Sequence, residues 1–109
     1  MRMIKSRSAK SEALAFLGIA QRAGALVKGN DAVRQALRRR EVSFLILAED
    51  GSETQKKKLI PLAEARGVPR KSFGSMNELG AALGHGPVAA VGVMESRLAG
   101  ELKKRLGCD

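Results

Sequence analysis

Tryptophan and tyrosine are absent from this chain of 109 residues, and its aromatic content is three phenylalanines, Phe16, Phe44 and Phe73. Phe44 and Phe73 sit in apolar, strand-like runs and read as core. Recognition by stacking splayed single-stranded bases therefore has almost no side chains to work with. The one cysteine, Cys108, excludes an internal disulfide and fits a reducing compartment. A single histidine beside a single cysteine also excludes a protein-only zinc site of the usual Cys/His kind. Neither G-x-x-x-x-G-K-[ST] nor G-x-G-x-x-G occurs, so no nucleotide cofactor is expected. No apolar run approaches the roughly 18 residues of a membrane span, and the first ten residues, MRMIKSRSAK, lack the apolar stretch of a secretory signal. A cytoplasmic protein without membrane association is expected. No acid, base and nucleophile cluster, so no catalytic residue is assigned and the chain reads as a non-enzyme.

Positive charge is abundant, with 20 Lys and Arg against 11 Asp and Glu, a formal net of +9. Residues 1–40 carry ten basic groups and two acidic ones, whereas residues 41–109 carry ten and nine. Nearly all the excess lies in the first third, the footprint expected for a polyanionic partner. The blander reading is a solvated basic surface, but solubility alone does not call for one-sided charge. With aromatic stacking excluded, recognition has to run through Arg and Lys, Asn and Asp, backbone amides and shape. A structured nucleic acid fits.

A hydrophobic fraction of 44% with 28% charged residues is that of a packed single domain. Residues 1–11 read as a flexible basic arm and 12–109 as the domain. Ser11 is the expected N-cap of a first helix, Glu12 to Ala23, ended by Gly24. A short extended piece, Ala25 to Lys28, leads to the cluster Gly29-Asn30-Asp31, which opens a second helix to Arg39 with Val33, Ala36 and Leu37 inward. Val42 to Ala48 (VSFLILA) has the pattern of a strand covered on both faces, stopped by the turn Glu49-Asp50-Gly51. A third helix, Ser52 to Arg66, turns Leu59, Leu62 and Ala63 inward and Lys56, Lys57 and Lys58 outward, with a kink or fresh start at Pro61. Val68 to Phe73 reads as an edge strand. Ser75-Met76-Asn77-Glu78 is a capping box opening a fourth helix. Val88 to Met94 is another buried strand, and Ser96 to Leu106 a last helix with a Glu101–Arg105 pair. The order αβαβαβαβα gives a three-layer α/β/α sandwich around a four-stranded, mixed sheet.

The junction Lys28-Gly29-Asn30-Asp31-Ala32-Val33-Arg34 concentrates the chemistry. It places unpaired amides and the positive macrodipole end of a helix beside an Asn amide, an Asp carboxylate and, one turn on, an Arg. The alternative is that Asn30 or Asp31 is only an N-cap, an ordinary use of these residues. The adjoining Arg34, Arg38, Arg39 and Arg40 weigh toward a binding site. Lys28 and Arg38 are assigned to phosphate contacts. His85, between two glycines, suits an RNA contact better than catalysis, because general acid–base work needs positioned partners.

Three stretches in order, LGIAQRAGALVKGNDAVRQALRRR (17–40), FLILAEDGS (44–52) and VPRKSFGSMNELGAALGHGPVAAVGV (68–93), resemble the kink-turn-binding ribosomal-protein superfamily. That superfamily includes an archaeal large-subunit and box C/D RNA protein and the bacterial YlxQ-like proteins. The resemblance covers residues 12 to about 106. It implies a three-layer α/β/α fold and binding of RNA kink-turns through the start of the second helix, where a glycine-led Asn-Glu-x-x-Lys-like signature meets the sheared G·A pairs. Gly29 matches the turn, Asn30 the Asn, Asp31 the Glu and Arg34 the Lys. Asp31 is one methylene shorter, and Arg34 exchanges an ammonium for a planar fork. A second element implied is the loop before the last strand, Leu83 to Ala89, which packs on a flipped-out nucleotide through Gly86, Pro87 and Val88. The expected partner is structured RNA, ribosomal RNA foremost, and the free protein is expected to be a monomer. The competing reading is an adaptor for ribosomal or transcription-related proteins, or the substrate-recognition domain of an RNA-modifying system.

Overall fold

The computed structural model describes residues 9–107; the arm reading for Met1 to Ser8, and Cys108, lie outside the described residues. Five helices and four strands follow in the expected alternation: α1 Ala9–Arg22, β1 Leu26–Lys28, α2 Asn30–Arg38, β2 Phe44–Leu47, α3 Glu53–Ala65, β3 Arg70–Ser72, α4 Met76–Ala82, β4 Ala90–Val93 and α5 Ser96–Arg105. The sheet is four-stranded and mixed, in the order β1-β4-β2-β3. β4 is antiparallel to both neighbours, pairing Leu26 with Val93 on one side and Leu47 with Ala90 on the other. β2 and β3 are parallel.

The apolar runs explain the layering. β2 and β4 are buried along their whole length, as strands covered on both faces must be. One face carries Phe44, Ile46, Val91 and Val93 against Ala13 and Leu17 of α1, Leu79 of α4 and Ala99 and Leu102 of α5. The opposite face carries Leu45, Leu47 and Ala90 against Val33, Ala36 and Leu37 of α2 and Leu59 and Ala63 of α3. β3 is an exposed edge bearing Arg70 and Lys71, charges that discourage a further strand from pairing there.

Three local expectations are corrected. α1 already includes Ala9 and Lys10, so Ser11 lies inside the helix and is not its cap; Lys10 reaches Glu78 at 3.0 Å. α3 makes no fresh start at Pro61 but runs through it as one helix; Pro61 sits exposed, as does Lys57, whose carbonyl loses its usual donor to the proline. Lys56 does not point into solvent with its neighbours: its side chain is 16% exposed, paired with Glu53 at 3.6 Å and donating to the Glu49 carbonyl at 3.3 Å.

Four helices end in the same way. The residue after the cap adopts positive φ, its N–H bonds to the carbonyl three residues back, and the next N–H bonds five back. Gly24, Gly67 and Gly84 fill that position after α1, α3 and α4, at φ 74°, 70° and 66°. After α2 it is Arg40, at φ 60°, with Arg40 N–H bonding Leu37 and Glu41 N–H bonding Ala36. A side chain in left-handed conformation costs roughly 1–2 kcal/mol, and glycine returns about 0.4–1 of that through the unfolded chain. Arg40→Gly is therefore expected to raise stability by about 0.5–1 kcal/mol in a urea titration; no change, or a loss, would show that the arginine makes compensating contacts.

Two carboxyl groups lie below the ordinary glutamate value of 4.5: Glu78, through the Lys10 ammonium and the Ser75 amide, and Glu101, through the Arg105 guanidinium and then Lys104. Folded-state values below the unfolded ones contribute stability that is present above pH 4.5 and lost as pH falls through the depressed folded values. The double change Glu78→Gln with Glu101→Gln should flatten the acid limb of a stability–pH curve below that point and lower the plateau at neutral pH. An acid limb identical to that of the unchanged protein would refute the assignment.

Candidate nucleic-acid interface

Because β1 and β2 both run antiparallel to β4, they run parallel to each other. β3 runs the same way. The helices that follow these three strands, α2, α3 and α4, therefore all begin at one edge of the sheet, the edge where β4 starts. Loops at the carboxyl ends of strands are where open α/β sheets place their ligands.

The three helix N-termini at this edge are finished differently. Ser52 caps α3, its hydroxyl accepting from the Gln55 amide at 3.3 Å. α4 has the full capping box, Ser75 accepting from Glu78 N–H at 3.0 Å and the Glu78 carboxylate from Ser75 N–H at 2.8 Å. A carboxylate oxygen of Asp50 takes the Met76 N–H as well, at 2.8 Å. α2 alone of the three has no side-chain cap: its N-cap is Gly29, and Asn30 and Asp31 are the first two helical residues. The alternative that Asn30 or Asp31 serves as N-cap is thus overturned. The backbone at Gly29, φ 95° and ψ 149°, is open to glycine and strained for any other residue. It is fixed by a bond from Gly29 N–H to the Ala90 carbonyl at 2.9 Å. The result is a helix end whose first amides and positive macrodipole pole are left for a partner.

Facing it is the segment between α4 and β4. His85 N–H donates to the Gly80 carbonyl at 2.8 Å and Val88 N–H to the Met76 carbonyl at 3.0 Å. Gly80 is the contact surface beneath this loop, since a Cβ there would run into the Gly86 carbonyl. Between the two segments lies a cleft of about 450 Å³ lined by Lys28, Gly29 and Asn30 on one wall and Met76, His85, Pro87, Val88 and Ala89 on the other.

Six of the residues singled out from sequence, Lys28, Gly29, Asn30, His85, Pro87 and Val88, thus share one cleft. Val88 belongs equally to the core and is 3% exposed, so it forms the floor. Gly86 is turned aside onto Gly80 and does not line the cleft. Asp31 stands outside with an exposed carboxylate, 3.7 Å from the Arg34 guanidinium. Arg34 and Arg38 face a separate groove between α2 and α3. Sequence reasoning missed Met76 and Asp50, while Ala89 was reached only as the end of the loop 83–89. The capping box marked Met76 as a helix start, but nothing local says that this start lies across from Gly29. It also missed Arg66, which donates to the Leu37 carbonyl at 3.1 Å and the Arg38 carbonyl at 3.4 Å and so closes the end of α2 from another helix.

No described polar or charged side chain is buried, and the described residues hold no group of His, Cys, Asp and Glu arranged to bind a metal ion. The cleft offers donors, a cation, one amide side chain and apolar walls. With the His85 imidazole also on its wall, the cleft has the donors and apolar surface to hold a polyanionic ligand.

Residues 12–103 match the family described as ribosomal protein L7Ae/L30e/S12e/Gadd45. Among solved structures, a protein of unknown function from Bacillus halodurans C superposes with a TM-score of 0.84 at 29% identity, covering 88% of this chain and 97% of that one. The Giardia lamblia 15.5kD RNA binding protein superposes with a TM-score of 0.75 at 20% identity, covering 95% of this chain and 89% of that one, a likeness of fold. No curated protein matches the chain in sequence.

The cleft's second wall depends on the bare Gly80 position. Gly80→Ala should leave the sheet intact and displace the His85–Pro87 loop, with the His85 amide losing most of its hydrogen-exchange protection while Val91 and Val93 keep theirs. Unchanged protection at His85 would mean that the loop is held by something other than this contact.

Proposed function

Because the chain belongs to the L7Ae/L30e/S12e/Gadd45 family of ribosomal proteins, we propose that it binds structured RNA of the kink-turn type through the cleft at the start of α2. The single observation that carries this reading is the meeting of two segments far apart in sequence, 28–30 and 85–89, at the one helix N-terminus on that edge without a side-chain cap. Such an end attracts phosphate or a polarised base edge. The Asn30 amide, with a carbonyl acceptor and an NH₂ donor, can read a purine edge bidentately. Lys28 supplies a point charge for a phosphate. The apolar wall of Met76, Pro87, Val88 and Ala89 suits a base turned out of its stack, the usual target of sequence-reading RNA proteins. A cleft of about 450 Å³ falls within the roughly 300–1,000 Å³ of small-ligand sites.

Asp31 and Arg34 take a secondary place in this reading. Their mutual pairing orients Arg34 across the second turn of α2 and partly offsets its charge. Of the solved structures that share the fold, the Giardia lamblia protein is itself an RNA-binding protein. We assign the RNA-binding domain to residues 12–109, with the basic segment ahead of it adding long-range attraction. The role is non-enzymatic, in a ribonucleoprotein of the cytoplasm, of the YlxQ-like kind and with ribosomal RNA as the leading partner.

Titration of a kink-turn RNA and of a straight duplex of equal length, at near-physiological salt, separates the roles. Asn30→Ala should weaken the kinked RNA by about ten-fold or more, roughly 1.4 kcal/mol, and leave the duplex nearly unchanged. Lys28→Gln should weaken both and lower the salt slope by roughly 0.7–0.9. Equal losses on the two RNAs for Asn30→Ala would sink the cleft as the site of recognition.

A further inference from the structure

We propose that the groove between α2 and α3, lined by Arg34, Arg38 and Lys58, is a second RNA surface that holds the phosphate backbone of a stem leaving the kink. The inference rests on the RNA-binding reading of the cleft and extends it to a different part of the molecule. The groove has a volume of about 480 Å³; its remaining lining is Pro61, Leu62 and Ala65, with no acidic side chain.

Its direction follows from the fold. α2 and α3 return from parallel strands, so they run side by side in the same sense, and both begin at the edge that holds the cleft. Their far ends are tied together by Arg66, which donates to the carbonyls of Leu37 and Arg38. The groove therefore leads away from the cleft along two helices held at fixed separation. Arg34 stands one turn after Asn30, and Arg38 one turn further, a step of about 6 Å along the helix. A strand leaving the cleft meets Arg34 first and Arg38 next, with Lys58 across the groove.

Charge pairing separates this lysine from its neighbour. Lys56 is occupied by Glu53 and the Glu49 carbonyl. Among the described residues, Arg38 and Lys58 form no ion pair, and the only partner of Arg34 is the exposed Asp31. Two cations without an ion pair and a third whose only acid is exposed outside the groove match a polyanion. Arg34 and Arg38 stand on the same helix as Asn30, one and two turns on, which favours RNA over an acidic peptide. Pro61, Leu62 and Ala65 form a shallow apolar floor on which the long aliphatic stems of Arg and Lys can lie.

The test uses the full chain and three RNAs: a kink-turn with short flanking stems, and two in which one or the other stem is lengthened by a helical turn. One of the lengthened RNAs should bind about five-fold more tightly than the short one, with a salt slope steeper by roughly 0.7–0.9 per added phosphate contact. Lys58→Gln should abolish that gain while leaving affinity for the short RNA within about two-fold, and Lys58→Arg should restore it. Equal affinity of the unchanged protein for all three RNAs would overturn the proposal, as would an equal effect of Lys58→Gln on short and long forms. So would displacement of the Lys58-dependent contact by a short polyglutamate peptide at concentrations that leave the long RNA bound. Replacing the G·A pairs by Watson–Crick pairs tests the cleft separately. If that change has no effect while Lys58→Gln still removes the stem's contribution, the cleft reading fails and the groove stands.

Discussion

The placement of β4 decides the rest of this molecule. It is the last strand in the chain, yet it hydrogen-bonds between β1 and β2, antiparallel to both. That insertion forces β1 and β2 to be parallel, so that α2 and α3 start at the same edge. It also brings the loop ahead of β4 to that edge, opposite Gly29. The centre of the strand is correspondingly tight. Gly92 pairs with Val27 on one side and Leu45 on the other, and a Cβ there would lie 2.9 Å from Val27 Cγ1 and 3.2 Å from Val42 Cγ2. The bond from Gly29 N–H to the Ala90 carbonyl continues the ladder one residue past β1. Through it, the position of the α2 N-terminus is set by the core rather than by a loop.

A rigid edge would be of little use if its polar groups were already satisfied. Buried or half-buried helix ends leave four amides in want of acceptors. α3 and α4 meet that demand with Ser52, Ser75, Glu78 and Asp50. α2 leaves it to solvent or to a ligand, because its cap is a glycine. Two readings of one short motif, Gly29-Asn30-Asp31, are separated by this detail. Had Asn30 been the cap, its amide would be engaged with its own backbone. As the first helical residue, it keeps both hydrogen-bonding ends for a partner.

Much of this was legible in the chain. The apolar runs 42–48 and 88–94 contain β2 and β4, and periodicity alone places Val33, Ala36 and Leu37 inward. The Ser75–Glu78 box and the Glu101–Arg105 pair form as their spacing requires. These are local signals, carried within four residues. What escaped was non-local or lacked its usual marker. The early start of α1 coincides with an ion pair to α4, 68 positions away in the numbering from Lys10 to Glu78. Arg40 takes a conformation that glycine marks at the ends of the four other helices, so no glycine announces it. Arg66 reads as a generic helix-end cation and instead closes a different helix. The cleft was half legible: both walls were named from the family signature, but that Gly86 turns away onto Gly80 depends on packing alone.

Affinity and selectivity fall to different parts of this architecture in the reading proposed. The cleft holds one amide side chain, one imidazole, one lysine and a few oriented N–H groups, too little charge for tight binding at physiological salt. The flanks of α2 and α3 hold the cations Arg34, Arg38 and Lys58, placed along a groove rather than around a pocket for a base. Phosphate contacts position an RNA and base contacts specify it. Here the two tasks are assigned to the beginning of α2 and to its length, on a single nine-residue helix. Both of its ends are secured by groups remote in sequence, Ala90 at the start and Arg66 at the finish. A helix so short has little stability of its own. Its orientation, and with it the alignment of the cleft with the groove, is therefore a property of the packed domain. Substitutions along the exposed face of α2 can change what is bound without changing where it is held.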